Sequence, residues 1–397
     1  WDLNPTWEPE GDHMPNRPEI LMTPGPTPVP PAVLVAQSEP LVYHRGPGYG
    51  ALLTEVIDGI RWQANASGDV AVYTSSGTGG MEGSVANVVS AGDKVLVVSV
   101  GYFGERYKTI CERFGLDVTF LGYNWGQVAK PEDIAKALDD NPGIKAVFIQ
   151  HSETSTGVCN DIEPIARVVK ERDKLFVVDA ISSVGAVELD VDGWGIDVCV
   201  GGSQKALGAT PGVAFITISE KAWEAHRNSN APRFYFDWTA YKDAAARKNP
   251  ESPWTPAISV LQGFAAAIRM AREEGLDNIL ARHRLLSRMV KAGVRGLDLP
   301  LFGENLERSL IVTAVKVPDG ISDEAIVAKL RSRFGIVTGP GQGPLKGKIF
   351  RIGHLGWVDP LDVLRFFGAL EVVLSELGYS LKLGAGVAAA QEVLLQP

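Results

Sequence analysis

Seven short apolar runs recur between positions 70 and 218, and most of them carry no alternating polar residues. Strands that are apolar on both faces are typical of a largely parallel sheet covered by helices on its two sides. Segments with helical character at 105–115 and 166–173 separate some of these runs. The pattern therefore predicts a three-layer α/β domain, and its expected strands are 70–76, 94–100, 117–122, 145–151, 175–180, 197–202 and 213–218.

The pattern changes after about Gly275, where the elements predict a smaller α+β domain. Ser322 is a predicted N-cap for one helix of this domain, two acidic residues follow it, and Gly335 is the predicted stop. The final helix carries one apolar stripe. The predicted elements are a helix at 278–297, a strand at 309–318, a helix at 322–335, a strand at 348–356 and a helix at 363–377.

These changes divide the chain into an N-terminal arm (1–22), a large domain (23–276) and a small C-terminal domain (277–397). The sequence "HM" at His13 and Met14 resembles a cloning junction, so we expect residues 1–13 to be a tag remnant and the native chain to begin at Met14. The proline-rich segment 23–31 is predicted to be extended rather than helical.

Composition and charge narrow the possible partners. A length of 397 residues suits two linked domains, with 45% hydrophobic and 21% charged residues. The net charge of −9 and the lack of a basic cluster argue against a nucleic-acid partner. No window approaches the roughly 18 to 20 apolar residues that a membrane helix needs. The three cysteines are widely separated, which predicts no metal site and suits a cytoplasmic protein.

Three groups of residues follow predicted strands, where ligands bind in open α/β sheets. The sequence "TSSGTGGMEG" leads into a helix expected to begin near Gly79, and a helix N-terminus can bind an anion. Asp179 ends a buried strand, and Lys205 lies among small residues in "GGSQKALGATPG". Taken singly, each has a structural alternative, namely a tight turn, a capping aspartate and a surface lysine, and the small flanking residues disfavour the last of these. The glycine spacing matches neither G-x-G-x-x-G nor a P-loop.

Together, an anion seat, a buried carboxylate and a desolvated lysine are the groups that hold pyridoxal phosphate. The lysine amine attacks the aldehyde of the cofactor, and desolvation activates the amine by lowering its pKa. The aspartate keeps the pyridine nitrogen protonated, so that the ring withdraws electrons. The helix N-terminus binds the phosphate.

The chain resembles the class V, fold-type-I aminotransferases, specifically the alanine/serine–glyoxylate aminotransferase family, from "MTPGPTPVPPAV" onward. The resemblance implies a mixed, mostly parallel seven-stranded sheet, a smaller C-terminal domain, pyridoxal phosphate as cofactor, and a homodimer (or a tetramer) with shared active sites. "FYFDW" and "GAGVAAA" resemble the serine–glyoxylate branch. The other matching stretches are "HRGPGYG", "SSGTGGMEG", "GYFGERY", "HSETSTGV", "VVDAISSVGA", "GGSQKALGATPG", "PWTPAI" and "KIFRIGHLG".

Carried over position by position, the resemblance implies a set of cofactor-binding residues. Lys205 is the Schiff-base lysine, Asp179 binds the pyridinium nitrogen, and Phe103 stacks on the ring. Thr154 hydrogen-bonds near the phenolic oxygen, and Thr255 reaches the phosphate from the partner subunit. The residues implied to bind the phosphate within one chain are Ser76, Gly77, Thr78 and Gln204.

The resemblance also implies that Arg351, in "RIGHLG", binds the substrate carboxylate. The chemistry of arginine supports this role because its planar guanidinium grips a carboxylate with two parallel hydrogen bonds, although a surface ion pair is the alternative. Gly25 is implied to line the substrate pocket, and His44 and Arg45 to reach it from the neighbouring protomer. Many relatives read H-R-S-P-E-F where this chain has "HRGPGY", which leaves the amino donor open.

The predicted reaction moves an amino group from serine or alanine to glyoxylate, giving glycine and a 2-oxo acid. Aspartate with glyoxylate, or alanine with pyruvate, are alternative pairs. A cysteine desulfurase shares the fold but needs a late nucleophilic cysteine, and none follows Cys199. The glycine spacing does not match the dinucleotide-binding motif, which argues against a nicotinamide-dependent dehydrogenase. A non-catalytic scaffold is disfavoured because Lys205, Asp179 and Arg351 are all present.

Overall fold

Residues 18–396 are described by a computed structural model, in which a seven-stranded sheet forms the centre of the large domain. The predicted tag remnant and the predicted native start at Met14 lie outside these residues. No helix within the described range is long and apolar enough to cross a lipid bilayer.

The predicted strands of the large domain are all present, within two residues at each end. The strands are β1 (Ile20–Leu21), β2 (Asp69–Thr74), β3 (Lys94–Ser99), β4 (Asp117–Gly122), β5 (Ile144–Gln150), β6 (Ser152–Glu153), β7 (Val158–Cys159), β8 (Leu175–Asp179), β9 (Val198–Gly202), β10 (Val213–Ile218), β11 (Val312–Lys316), β12 (Ile336–Val337), β13 (Gly339–Pro340) and β14 (Ile349–Gly353).

Helices cover both faces of the large sheet, and others pack against the sheet of the small domain. The helices are α1 (Pro31–Gln37), α2 (Pro47–Ala64), α3 (Gly77–Val88), α4 (Tyr102–Arg113), α5 (Pro131–Asp140), α6 (Ile162–Glu171), α7 (Val191–Trp194), α8 (Glu220–Asn228), α9 (Trp238–Ala245), α10 (Ile258–Glu274), α11 (Leu276–Gly296), α12 (Asp323–Phe334), α13 (Pro360–Glu376) and α14 (Ala385–Leu394). Two short 3₁₀ turns lie at Leu306–Arg308 and Gly343–Leu345.

The large sheet has the order β2-β10-β9-β8-β5-β3-β4 and is parallel except for β10, which is antiparallel to both of its neighbours. Adjacent residues of one strand enter different cores: Val177 packs into the cluster on one face and Val178 into the cluster on the other. Both faces are therefore buried, which explains the missing polar alternation and confirms the predicted fold class. The parallel strands β2, β5, β8 and β9 end at one edge, where loops can assemble a site.

The small domain is built on the antiparallel sheet β11-β14-β13. The predicted helix limits are confirmed, because the Ser322 hydroxyl accepts a bond from the Ala325 amide at 3.0 Å and Gly335 ends α12 with φ +65°. Helix α14, in the alanine-rich tail, was not predicted. It packs tightly on α11, since a Cβ atom added to Gly296 would lie 2.7 Å from the Ala389 side chain.

Residues 18–30 form an arm that crosses from the small domain to the edge of the large sheet. Strand β1 pairs in parallel with β12, and Met22 is buried in the small-domain core. Residues 23–30 are neither helix nor strand, as predicted, but Pro31 begins α1, so the prediction is wrong at its last residue. The boundary proposed between residues 276 and 277 stays a prediction; α11 begins beside it.

Candidate active site

Lys205 lies three residues after the end of β9, in a loop with little side-chain volume. A Cβ atom added to Gly201 would overlap the Phe215 ring, so close packing beneath the loop requires this glycine. The half-buried Lys205 amine donates a hydrogen bond to the Pro24 carbonyl at 2.7 Å. The pKa of Lys205 is lowered to about 8, chiefly by burial; the Asp179 carboxylate opposes this shift and the Arg351 guanidinium contributes to it. The lowered pKa increases the fraction of unprotonated amine at neutral pH, and the unprotonated amine is the form that acts as nucleophile and base.

Asp179 is the last residue of β8, and its side chain is only 6% exposed. One carboxylate oxygen accepts a hydrogen bond from the Ile181 amide at 2.9 Å. Burial nevertheless raises the pKa of Asp179 to about 7. A buried carboxylate in this state is stabilised as an anion by a cationic partner, and a protonated pyridine nitrogen is such a partner.

The helix start after β2 is an anion seat. Helix α3 begins at Gly77, two residues before the predicted start, and its N-cap Ser76 forms no side-chain capping bond. The first amides of α3 therefore stay available for a ligand. A Cβ atom added to Gly77 would lie 2.7 Å from Ile181, so only glycine lets the helix start lie this close to the loop after β8.

One pocket brings these groups together at the carboxyl edge of the sheet. Besides Met81, Arg106, Ser152, Ile181 and Ser182, the pocket is lined by eight residues predicted to bind the cofactor, namely Ser76, Gly77, Thr78, Phe103, Thr154, Asp179, Gln204 and Lys205. The donor set fits pyridoxal phosphate: an uncapped helix start for the phosphate, a buried acid for the ring nitrogen and an amine for the aldehyde. The buried side-chain oxygen of Gln204 has no hydrogen-bond partner among the described residues.

Arg351 reaches the same region from β14 of the small domain, and it is 5% exposed. Its Nε and Nη2 atoms donate to the Pro340 carbonyl at 3.0 and 2.8 Å, and Nη1 donates to the Thr154 carbonyl at 2.8 Å. One N–H group on each terminal nitrogen is left for a ligand. Burial lowers the pKa of Arg351 to about 10, so the guanidinium stays cationic at neutral pH. The group can bind a carboxylate beside the cofactor pocket.

Gly25 lies against the Lys205 side chain. Its φ of +131° is a conformation that favours glycine. A Cβ atom added to it would lie 2.6 Å from Lys205 Cδ and would overlap the amine. The adjoining Thr27 holds the arm in place, because its hydroxyl donates to the Lys205 carbonyl at 2.8 Å. The sequence prediction that Gly25 lines the substrate pocket is compatible with this position, although the roles of the residues stay proposals.

Replacing Gly25 with alanine is expected to lower kcat/KM at least about 100-fold, because the methyl group displaces the reactive amine by an ångström or more. Steady-state kinetics measure this loss. Gly320→Ala is the matched control: Gly320 also has positive φ (+80°) but nothing lies within 4 Å of its added Cβ, so backbone strain alone is tested. Activity above half of the wild-type value in Gly25→Ala would contradict the prediction.

His44, Arg45 and Thr255 do not line this pocket. Arg45 and Thr255 are exposed, and Arg45 forms an ion pair with Glu251 at 2.7 Å. The loop of residues 43–46 thus contacts the chain four residues before Thr255. The three residues were predicted to act on a neighbouring protomer, and a single chain does not test that prediction.

Two charged residues beside the pocket were missed by sequence reasoning. Glu153 is fully buried, and its carboxylate accepts bonds from the amides of Phe103 (2.9 Å), Gly104 (3.3 Å) and Ser155 (3.1 Å), and from the Ser155 hydroxyl (2.7 Å). It thus holds the start of α4, which carries Phe103, although burial raises its pKa. Arg106 lines the pocket itself. Both residues lie in stretches that carried the resemblance, "HSETSTGV" and "GYFGERY". A charged residue inside a stretch of apolar or small residues was the signal in the sequence that could have identified them as site residues.

Comparison with known proteins places the site in a family context. The family Aminotransferase class-V matches residues 21–345. A Synechococcus sp. protein named as the small subunit of a soluble hydrogenase is 42% identical over 379 residues (94% of this chain and 98% of that protein). An L-aspartate–glyoxylate aminotransferase of Paracoccus denitrificans is 35% identical over 378 residues (94% and 95%). The crystal structure of a ureidoglycine–glyoxylate aminotransferase from Bacillus subtilis superimposes with a TM-score of 0.92 at 32% identity (96% and 99%).

Proposed function

The chain belongs to the class-V aminotransferase family and is a pyridoxal-phosphate-dependent transaminase, and on that premise we propose that it transfers the amino group of serine or alanine to glyoxylate. The products are glycine and a 2-oxo acid. The observation that carries the proposal is the convergence of Lys205, Asp179 and an uncapped helix start in one pocket, with Arg351 bonded to the pocket residue Thr154.

The proposed roles follow from the chemistry of each side chain. Bound pyridoxal phosphate supplies an electron sink for the negative charge that develops at the substrate α-carbon. Asp179 keeps the ring nitrogen protonated by ion pairing. Lys205 would hold the cofactor through its amine and, with the amino donor bound, would accept the α-proton on Nζ, for which a pKa of about 8 is suitable. Arg351 binds the substrate carboxylate through its two remaining N–H groups.

The proposed substrates are small because the extended segment of residues 23–30 covers the Lys205 amine. Pro24 and Gly25 lie directly against Lys205 Nζ, which leaves little room on that side for a long substrate side chain. The names of the Paracoccus and Bacillus relatives specify different donors but share glyoxylate as the acceptor. This shared acceptor supports glyoxylate more strongly than it supports any one donor. Aspartate with glyoxylate and alanine with pyruvate remain the alternative pairs.

Two other functions receive less support. A desulfurase needs a nucleophilic cysteine, whereas Cys111, Cys159 and Cys199 are all buried and none lines the pocket. A hydrogenase function, after the name of the Synechococcus relative, receives less support because the residues that converge in the pocket supply the amine, acid and anion seat of amino transfer.

The test is a panel of serine, alanine and aspartate as donors, each with glyoxylate and with pyruvate as acceptor, compared by kcat/KM. We expect glyoxylate to be the preferred acceptor and serine or alanine the preferred donor. A single methylene or hydroxyl changes selectivity by about 1–3 kcal/mol, so the donors require measurement. Absence of amino transfer to glyoxylate from every donor would overturn the proposal, and dominance of aspartate would replace it with that alternative.

We further propose that the enzyme is a cytoplasmic homodimer in which Thr255, His44 and Arg45 complete the partner's pocket. The support is that all three residues lie outside their own pocket, that Arg45 and Thr255 are exposed, and that Phe234, which is 74% exposed, stacks on Trp254 beside Thr255. The same assay run at falling enzyme concentration tests the assembly. Specific activity that stays constant in a solution shown to contain monomers would contradict shared sites.

A further inference from the structure

Arg106 is a cationic residue that lines the pocket and has no role in the proposed reaction so far. It lies one turn after Phe103 on α4, and its guanidinium carbon is 4.7 Å from the centroid of the Phe103 ring. Its Nη1 atom donates a hydrogen bond to the Thr78 hydroxyl oxygen at 2.8 Å. Arg106 therefore joins two parts of the pocket, the ring-stacking residue and the anion seat.

The charge of Arg106 has no counter-ion among the described residues of the protein. Across residues 18–396, the Thr78 hydroxyl is its single hydrogen-bond partner, and no carboxylate forms an ion pair with it. A half-buried arginine that faces a pocket without a carboxylate partner leaves an uncompensated positive charge there. The charge is felt across the pocket, since Arg106 lowers the pKa of both Asp179 and Lys205. A bound anion would compensate it.

The anion seat supplies dipoles but no full charge of its own. Ser76, Gly77 and Thr78 offer hydroxyl and amide groups, and the helix N-terminus adds roughly half an elementary charge. A phosphate ester near neutral pH carries close to two negative charges. Because the Thr78 oxygen accepts a bond from Arg106, the Thr78 hydroxyl hydrogen points away from the guanidinium and is free to donate to a ligand.

We propose that Arg106 is the counter-ion of the cofactor phosphate and that, by its charge and by orienting the Thr78 hydroxyl, it makes the pocket select pyridoxal phosphate over unphosphorylated pyridoxal. The inference rests on the proposed assignment of the anion seat to the phosphate. Arg106 is on this account a cofactor-selectivity residue, while Phe103 contributes affinity for both forms through the ring.

The experiment compares the dissociation constants of pyridoxal phosphate and pyridoxal for the cofactor-free full-length protein, followed by absorbance and fluorescence quenching. In Arg106→Gln, we expect the constant for pyridoxal phosphate to rise about 10- to 100-fold, the range of a charge-assisted hydrogen bond. The constant for pyridoxal should change less than about twofold, because pyridoxal has no phosphate. The ratio of the two constants is therefore the diagnostic quantity.

Two further variants make the comparison decisive. Arg113→Gln removes the same charge from the exposed end of the same helix and should leave the ratio unchanged. Arg106→Met keeps an apolar stem over Phe103 without the charge, so it gives the same comparison if the glutamine variant does not fold. Equal weakening of both ligands, or of neither, would overturn the inference. Wild-type protein that binds neither ligand would instead refute the proposed function.

Discussion

Replacing Lys205 with alanine is expected to abolish transamination, with kcat/KM falling at least about 10⁴-fold. The loss is this large because one amine is proposed to bind the cofactor and to carry the α-proton, and no second amine among the pocket residues of the described chain can replace it. The measurement is glycine formation from glyoxylate. Borohydride reduction followed by peptide mass spectrometry should place the cofactor on residue 205 of the wild type and on no residue of the variant.

Lys205→Arg is the matched control for charge. Arginine keeps a cation beside Asp179, but its high pKa makes it a poor nucleophile and base at neutral pH. We therefore expect Lys205→Arg to be as inactive as Lys205→Ala while its thermal unfolding stays close to that of the wild type. An alanine variant that keeps more than about one hundredth of wild-type activity would contradict the assignment of both cofactor binding and α-proton transfer to Lys205.

Replacing Asp179 with asparagine is expected to have opposite effects on activity and on stability. Activity should fall about 10²- to 10³-fold, because the ring nitrogen loses the anion that holds its proton. The cofactor-free protein should become more stable at pH 8. The folded-state pKa of Asp179 is about 7, above its ordinary value of 3.8, so ionisation of this group opposes folding. Its contribution to folding stability therefore declines as pH rises from about 4 to about 7 and stays reduced above that range.

Thermal unfolding of the cofactor-free wild type and Asp179→Asn at pH 5 and pH 8 measures this effect. The difference in unfolding free energy should be larger at pH 8 than at pH 5 by at most about 3 kcal/mol, because about two pKa units of the shift lie between pH 5 and the folded-state pKa of about 7. Asp197→Asn is the control, since Asp197 is also a buried carboxylate with a raised pKa but lies outside the pocket. A variant of Asp179 that is destabilised at pH 8 and not at pH 5 would contradict the stated origin of the shift.

The sequence predicts the large domain well because its signals are local. Each apolar run, such as the one that ends at Asp179, is a strand whose burial follows from two covered faces. The carboxyl edge of a parallel sheet then brings together residues far apart in sequence, as it does Gly77, Asp179 and Lys205. The cap at Ser322 is also local, since its bond spans three residues.

The missed features depend on long-range contacts that no local pattern encodes. The position of Arg106 in the site is defined by its hydrogen bond to Thr78, which lies on a different helix. The role of Glu153 depends on the amides of Phe103 and Gly104, which also lie on a different element. The contact between Gly25 and Lys205 depends on the pairing of β1 with β12 across almost the whole chain. The proposed role of Thr255 depends on a second chain, so neither the sequence nor one protomer decides it.

The arm precedes the large domain in sequence, but its strand partner follows that domain. During synthesis, Ile336, the partner of Ile20, is translated only after the whole large domain and about half of the small domain. Domains generally fold as they emerge from the ribosome, so the large sheet can assemble before strand β1 has a partner to pair with. The carbonyl of Pro24 and the backbone of Gly25 reach Lys205 only after this late docking. A nascent chain in which β12 has not yet been made therefore leaves the Lys205 amine without this cover.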